Sequence, residues 1–212
     1  MAVSGAITLP QRVVLATGNP GKLRELQQLL GAAFDLVPQT ELNISAIEET
    51  GQTFTENALL KARHASAQSG LAAIADDSGL EVDALGGAPG IRSARYAGID
   101  ASDKVNNSKL LEVLDRHSES ERGAQFRCVI VFVRSADDPE PLIGEGVWRG
   151  RILDAPRGSG GFGYDPLFLD ETAQLTGGEL DPDDKNRRSH RGKAVRQLGK
   201  LLGSSDIKSD LD

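Results

Sequence analysis

The order of elements legible in the chain predicts an α/β fold. Three observations carry this reading: an apolar run followed at once by a glycine turn and a helix, a capping-box helix that leads into a second apolar run, and two long β-branched segments in the second half. At 212 residues the chain suits one domain, or one domain of two lobes, and is long enough to bury a core. The reading assigns residues 1–202 to a single two-lobed domain and residues 203–212 to a small, polar, disordered tail.

Residues 12–16 (RVVLA) read as a buried strand. A turn follows, in which Asn19 caps a helix that has Pro20 at its first position and Leu23, Leu26, Leu29 and Leu30 at helical spacing, until Gly31 stops it. Residues 34–37 suggest a second strand, and Thr53 with Glu56 forms a capping box for a helix that ends near Gly70. The short apolar run 71–75 then delivers Asp76 and Asp77 at a strand end, with short strands and turns as far as Gly98. Residues 102–116 predict a helix whose Val105, Leu110, Leu111 and Leu114 face inward. Residues 125–134 and 142–152 predict two long strands at the centre of the sheet, joined through the turn-rich 135–141. A glycine-rich loop, 158–163, and one last helix over residues 182–202 complete the order.

No apolar run approaches the ~20 residues that span a bilayer, and residues 1–10 lack the basic start and long apolar stretch of a secretory signal. A cytoplasmic protein without membrane association is expected. Thirty-one acids against 24 bases give a formal charge of −7, which opposes non-specific attraction to nucleic acid. An anionic ligand must therefore be small and met by local donors. The single cysteine, Cys128, lies in an apolar strand and reads as a buried small hydrophobe.

Four segments carry candidate chemistry. Residues 17–22 (TGNPGK) place a glycine turn and Lys22 at a helix start, where backbone N–H groups can cradle phosphate. Ala16 and Leu23 stand where a Walker A loop needs glycine and a hydroxyl, and the segment alone suits an ordinary strand-to-helix turn equally well. Asp76 and Asp77 are adjacent strand residues, so their carboxylates point to opposite faces: one can meet Mg²⁺ while the other braces the backbone. Glu48 and Glu49 offer further acids. The loop 158–163 fits G-x-G-x-x-G but opens no helix, so it is no dinucleotide site; its Phe162 either reaches a base or anchors the loop on the core. Lys185, Arg187, Arg188, His190, Arg191 and Lys193 crowd into nine residues, a run that by itself reads as a solvated helix face. His64 reads as surface or structural, and His117 closes a helix.

Taken together in order, these segments resemble the inosine triphosphatase family, enzymes that remove deaminated purine nucleotides. The resemblance rests on residues 17–22, on 49–51 (ETG) with Thr53, Phe54, Glu56, Asn57 and Ala58, and on Lys61 to Arg63 (KAR). It continues through 75–80 (ADDSGL), 84–90 (ALGGAPG) with Ser93 and Arg95, Trp148, Gly150, Ile152, 160–166 (GFGYDP after Gly160), Lys185 and 189–192 (SHRG). It spans about residues 12–202.

The resemblance implies an α/β protein with a long, mixed, twisted sheet, helices on both sides and two lobes around a nucleotide cleft, assembled as a homodimer. It implies Mg²⁺-dependent hydrolysis of ITP, dITP and XTP to the nucleoside monophosphate and pyrophosphate. By the same resemblance Thr17, Gly18, Asn19, Pro20, Gly21 and Lys22 hold the triphosphate, Glu49 and Asp77 bind Mg²⁺, and Asp77 also serves as the base for the attacking water, with Glu48 an alternative second acid. Ser78 contacts the substrate, Phe162 stacks on the purine, Gly163, Tyr164 and Asp165 frame it, and Lys185, His190 and Arg191 meet the base and its 6-keto oxygen. A non-catalytic nucleotide-binding or sensing module would use the same loops without needing a base.

Overall fold

The structure, a computed structural model, describes residues 12–31 and 33–203. The expected disordered tail, apart from Gly203, and the N-terminal segment lie outside the described residues. The elements are β1 (Arg12–Leu15), α1 (Pro20–Leu30), β2 (Asp35–Pro38), α2 (Phe54–Ser69), β3 (Ala72–Val82), α3 (Asp103–Leu114), β4 (Gly123–Val133), β5 (Leu142–Ile152), β6 (Phe168–Asp170), β7 (Leu175–Thr176), α4 (Pro182–Arg188) and α5 (His190–Leu202). One seven-stranded sheet has the order β2-β1-β3-β4-β5-β6-β7, which puts β4 at its centre as expected. The sheet is mixed: β1 pairs in parallel with β2 and β3, whereas β6 pairs antiparallel with β5 and β7. Among the described residues no helix is long and apolar enough to cross a membrane.

The chain divides into two compact units. Of the described residues, those up to Asp77, Val129–Gly146 and those from Arg191 onward form the first; Ser78–Cys128 and Val147–His190 form the second. In the first unit Val13, Val14 and Leu15 of β1 are fully buried, together with Leu26 and Leu30 of α1 and Ile74 of β3, and Phe34 stacks on Phe132 at 6.1 Å. Burying each such side chain contributes roughly 1.5–3 kcal/mol. In the second unit Leu80, Val82, Leu110, Leu114, Phe126, Trp148 and Phe168 share one apolar cluster. Cys128 is fully buried, as its strand predicts.

Local signals fixed most boundaries. Asn19 accepts from the N–H groups of Gly21 and Lys22, and Thr53 and Glu56 complete the capping box of α2, which stops at Gly70 in the left-handed region.

Four expectations are corrected. Asp76 and Asp77 lie inside β3 rather than at its end, because Ser78 and Gly79 continue the strand. The glycine answers to close packing instead of a turn: a Cβ on Gly79 would lie 2.2 Å from the carbonyl oxygen of Gly90. Val105, expected inward, is 51% exposed. The buried stripe of α3 runs through Asn106, Leu110 and Leu114, and Asn106 earns its buried place by accepting from the Ala97 N–H and donating to the Ala94 carbonyl. The last helix is two, since Ser189 adopts an extended φ of −66° and ψ of 160°, the geometry of a residue that ends one helix and starts the next. Finally, the basic run is solvated only in part: Lys185, His190 and Arg191 are buried and Arg188 lies 3.7 Å from Asp170, whereas Arg187 and Lys193 are exposed.

Candidate active site

The first unit gathers four carboxylates and three cations around β3. Alternation along the strand sends Asp76 and Asp77 to different partners, as adjacent strand residues must be. The Asp76 carboxylate is fully buried and accepts from Lys22 Nζ at 3.1 Å and from the Arg191 guanidinium at 3.2 and 3.4 Å. Arg191 reaches on to Glu25. Burial pushes Asp76 upward, but Lys22, Arg191 and Lys61 outweigh it and hold the carboxyl well below the usual range.

Asp77 is built into a second arrangement. Asn57 Nδ2 donates to its Oδ2 at 3.1 Å, and Lys61 Nζ donates to its Oδ1 at 3.1 Å. Asn57 and Lys61 stand one turn apart on α2 and so share a face. The same ammonium donates to Glu49 Oε1 at 2.8 Å, while Asn57 Oδ1 accepts from the Gly51 N–H at 2.8 Å and pins the loop that carries Glu49. Glu48, by contrast, is exposed. Burial raises the Asp77 pKa; Lys61 and Lys22 pull it back, Glu49 and Asp76 add to the rise, and the net shift is upward. Burial alone would lower Lys61, yet Asp77, Asp76 and Glu49 together raise it, so it stays charged.

The turn at residues 17–22 is only partly the expected cradle. The N–H groups of Gly21 and Lys22 are already taken by Asn19 Oδ1, and the Asn19 N–H donates to Thr17 Oγ1 at 3.2 Å. The side chains of Lys22 and Asn19 are therefore the stronger donors here, ahead of the first-turn backbone.

The second unit holds the residues expected near a base. Asp165 is the hub of their loop: its Oδ2 accepts from the Phe162 N–H at 2.7 Å and from Lys185 Nζ at 2.6 Å. That ammonium lies 4.9 Å from the Phe162 ring centroid, a cation–π distance. Phe162 is half-buried. Tyr164 is buried and donates its hydroxyl to the Ser93 carbonyl at 2.9 Å; burial foremost, with Tyr96 and Asp103, keeps its pKa far above the phenol range, so it remains a donor. His190 is buried and stacked on Phe126 at 4.8 Å, with Trp148 at 6.4 Å. Ser78, half-buried, opens the second unit's share of β3.

The structure thus brings together Lys22 with Asp76, and Glu49 with Asp77, in one unit, and Phe162, Asp165 and Lys185 in the other. Arg191 belongs to the first unit, where its guanidinium is held by Asp76 and Glu25. Sequence reasoning gave no role to Asn57, Lys61 or Glu25. The spacing of Asn57 and Lys61 on one capped helix was a usable signal, whereas Glu25 lies 166 residues from Arg191 and has none.

Chemically, a buried carboxylate with an elevated pKa, oriented by an amide and an ammonium, can take a proton from water. Two carboxylates converging on one ammonium also mark a place where positive charge is favoured. Among the described residues no group of three or more His, Cys, Asp or Glu forms a metal cage.

Comparison with known proteins gives a consistent picture. The Ham1 family pattern matches residues 13–201. The dITP/XTP pyrophosphatase of Methylococcus capsulatus is 58% identical over 193 residues, covering 91% of this chain and 96% of that protein. The protein of the same name from Yersinia pseudotuberculosis is 58% identical over 189 residues, covering 89% and 96%. Among solved structures, a HAM1 protein from Coxiella burnetii superposes with a TM-score of 0.84 at 50% identity, covering 92% of this chain and 99% of that one.

Proposed function

The chain belongs to the Ham1 family, and from that membership we propose that it hydrolyses ITP, dITP and XTP to the nucleoside monophosphate and pyrophosphate. The observation that carries the chemistry is Asp77, fixed between Asn57 and Lys61 with Glu49 on the same ammonium. Asp77 takes a proton from water as the water oxygen attacks the α-phosphorus; the bond from that phosphorus to the bridging oxygen breaks, and pyrophosphate leaves. Its raised pKa brings it closer to the working pH of a base. Lys22 and Lys61 offset negative charge on the phosphates, aided by the amide of Asn19.

The residues fit Mg²⁺. The donors are hard carboxylate oxygens, Glu49 and Asp77 converge on one cation, and the four acids Glu25, Glu49, Asp76 and Asp77 exceed the three cations Lys22, Lys61 and Arg191 by one. Glu49 and Asp77 would hold the ion, which when bound supplies positive charge to the phosphate oxygens. In the second unit Phe162 stacks on the purine, and Lys185 and His190 serve its 6-keto oxygen. Arg191, which also holds Asp76, joins them in that role. A cytoplasmic homodimer belongs to the same reading and rests on the family resemblance; sedimentation of the purified chain decides the dimer.

Incubation with ITP and Mg²⁺, with pyrophosphate and phosphate measured separately, tests the reaction. Pyrophosphate is expected. Nucleotide bound without product would leave a sensing module instead. In the same assay kcat/KM for ITP and XTP is expected to exceed that for ATP by about one to two orders of magnitude, because the 6-amino group of adenine sets donor against donor, a mismatch of roughly 1–3 kcal/mol. Equal values for ATP and ITP would sink the substrate assignment. Phe162→Ala is expected to raise KM with a smaller change in kcat, since stacking precedes chemistry; an unfolded variant would make Phe162 a core anchor.

A further inference from the structure

The loop at 158–163 cannot hold its own shape. Four of its six residues are glycine, and Gly158, Gly161 and Gly163 all take positive φ. Such a loop has much conformational freedom to lose, so the placement of Phe162 must be imposed by neighbours. Asp165 and Lys185 hold one side, as described. The other side is held by α3, a helix that belongs to none of the segments on which the family resemblance rests.

The contact is specific. Asp103, the first residue of α3, accepts from the Gly163 N–H at 2.7 Å, and Asn107, one turn later on the same face, donates from Nδ2 to the Gly163 carbonyl at 3.0 Å. Both backbone polar groups of the residue next to Phe162 are thereby engaged by one rigid element. Gly163 has φ of +61° and nothing within 4 Å of the place a Cβ would occupy, so it is glycine for its backbone conformation alone. Ser102 caps α3 by accepting from the Val105 N–H, which fixes the turn that carries Asp103.

We propose that Asp103 and Asn107 are positioning residues that clasp Gly163 and so set where Phe162 meets the purine. This rests on the functional reading above. The clasp acts on binding and base choice through Phe162, without touching the reacting phosphates.

The test uses Asp103→Ala and Asn107→Ala, singly and together, Asp103→Asn as the conservative variant, and the same changes on a Phe162→Ala background. With both clasp residues truncated, KM for ITP is expected to rise about tenfold more than kcat falls, the scale of one or two lost hydrogen bonds. Asp103→Asn retains an acceptor oxygen and is expected to recover most of the loss. On the Phe162→Ala background the clasp changes should shift KM by less than about twofold; a full tenfold shift there overturns the proposal. Amide exchange of the substrate-free protein reads the clasp without activity. Protection lost over residues 158–165 with α3 itself unchanged supports it, and unchanged loop protection overturns it. Should the parent protein release no pyrophosphate from ITP, the functional reading fails while the exchange measurement still decides the clasp.

Discussion

Asp77→Asn is expected to lower turnover by about two to four orders of magnitude while leaving the fold intact. The change removes the base and one acidic donor, but its side-chain oxygen can still accept from Asn57. It also has a stability signature of unusual sign. The folded protein raises the Asp77 pKa, chiefly by burial, so the folded state holds that proton more tightly than the unfolded chain, whose aspartates titrate near ~3.9. Stability from this group is therefore present at low pH and is lost as pH rises from the unfolded value through the raised folded value. Asparagine does not titrate. The variant's melting temperature relative to the parent's, measured without divalent ions, should accordingly rise across that window, whatever offset the loss of the Lys61 ion pair adds at every pH. Turnover above a tenth of the parent's would move the base elsewhere. A difference between variant and parent that does not change with pH across that window would overturn the burial account.

Arg191→Met should destabilise the protein by up to about 3–5 kcal/mol, the cost of removing one partner from a buried ion pair, reduced by what Lys22 still supplies to Asp76. Arg191 is 1% exposed and the Asp76 carboxylate 0%, so water cannot replace the lost guanidinium. The pH dependence follows from the opposite shift. Asp76 is held below the ordinary range, so its contribution is present above the unfolded value near ~3.9 and is lost as pH falls through the depressed folded value. Removing Arg191 shrinks that contribution, and the deficit should be greatest above about pH 5 and narrow in acid. Denaturant unfolding at several pH values checks this. Adding Asp76→Asn to the variant should restore part of the loss; a single variant within about 1 kcal/mol of the parent would show that Lys22 alone suffices for Asp76.

The two arrangements around β3 differ in how far the sequence could show them. Asn57, Lys61 and the loop ending at Gly51 sit within one capped segment, where helical spacing places two polar side chains on one face. Residue type and position alone do not separate Glu49 from Glu48; the family resemblance prefers Glu49, and Lys61 donates to it in the fold. Phe162 could be read as a base platform or a core anchor, because no local rule fixes the exposure of an aromatic among glycines. Asp165, which organises that loop, accepts a bond from Lys185, 20 residues away.

The sequence by itself determined what depends on neighbours along the chain: the Asn19 and Thr53 caps, the stop at Gly70, the long central strands and the buried state of Cys128. Those features follow from short-range hydrogen bonding and from the periods of helix and strand. Tertiary structure alone decided where β3 ends, because Gly79 serves the approach of Gly90 rather than a turn. It also decided that Arg191 belongs with Asp76, across 115 residues, and that the last helix breaks at Ser189. Ion pairing in a dry interior depends on which charges the fold brings within reach, and separation along the chain carries no information about that distance.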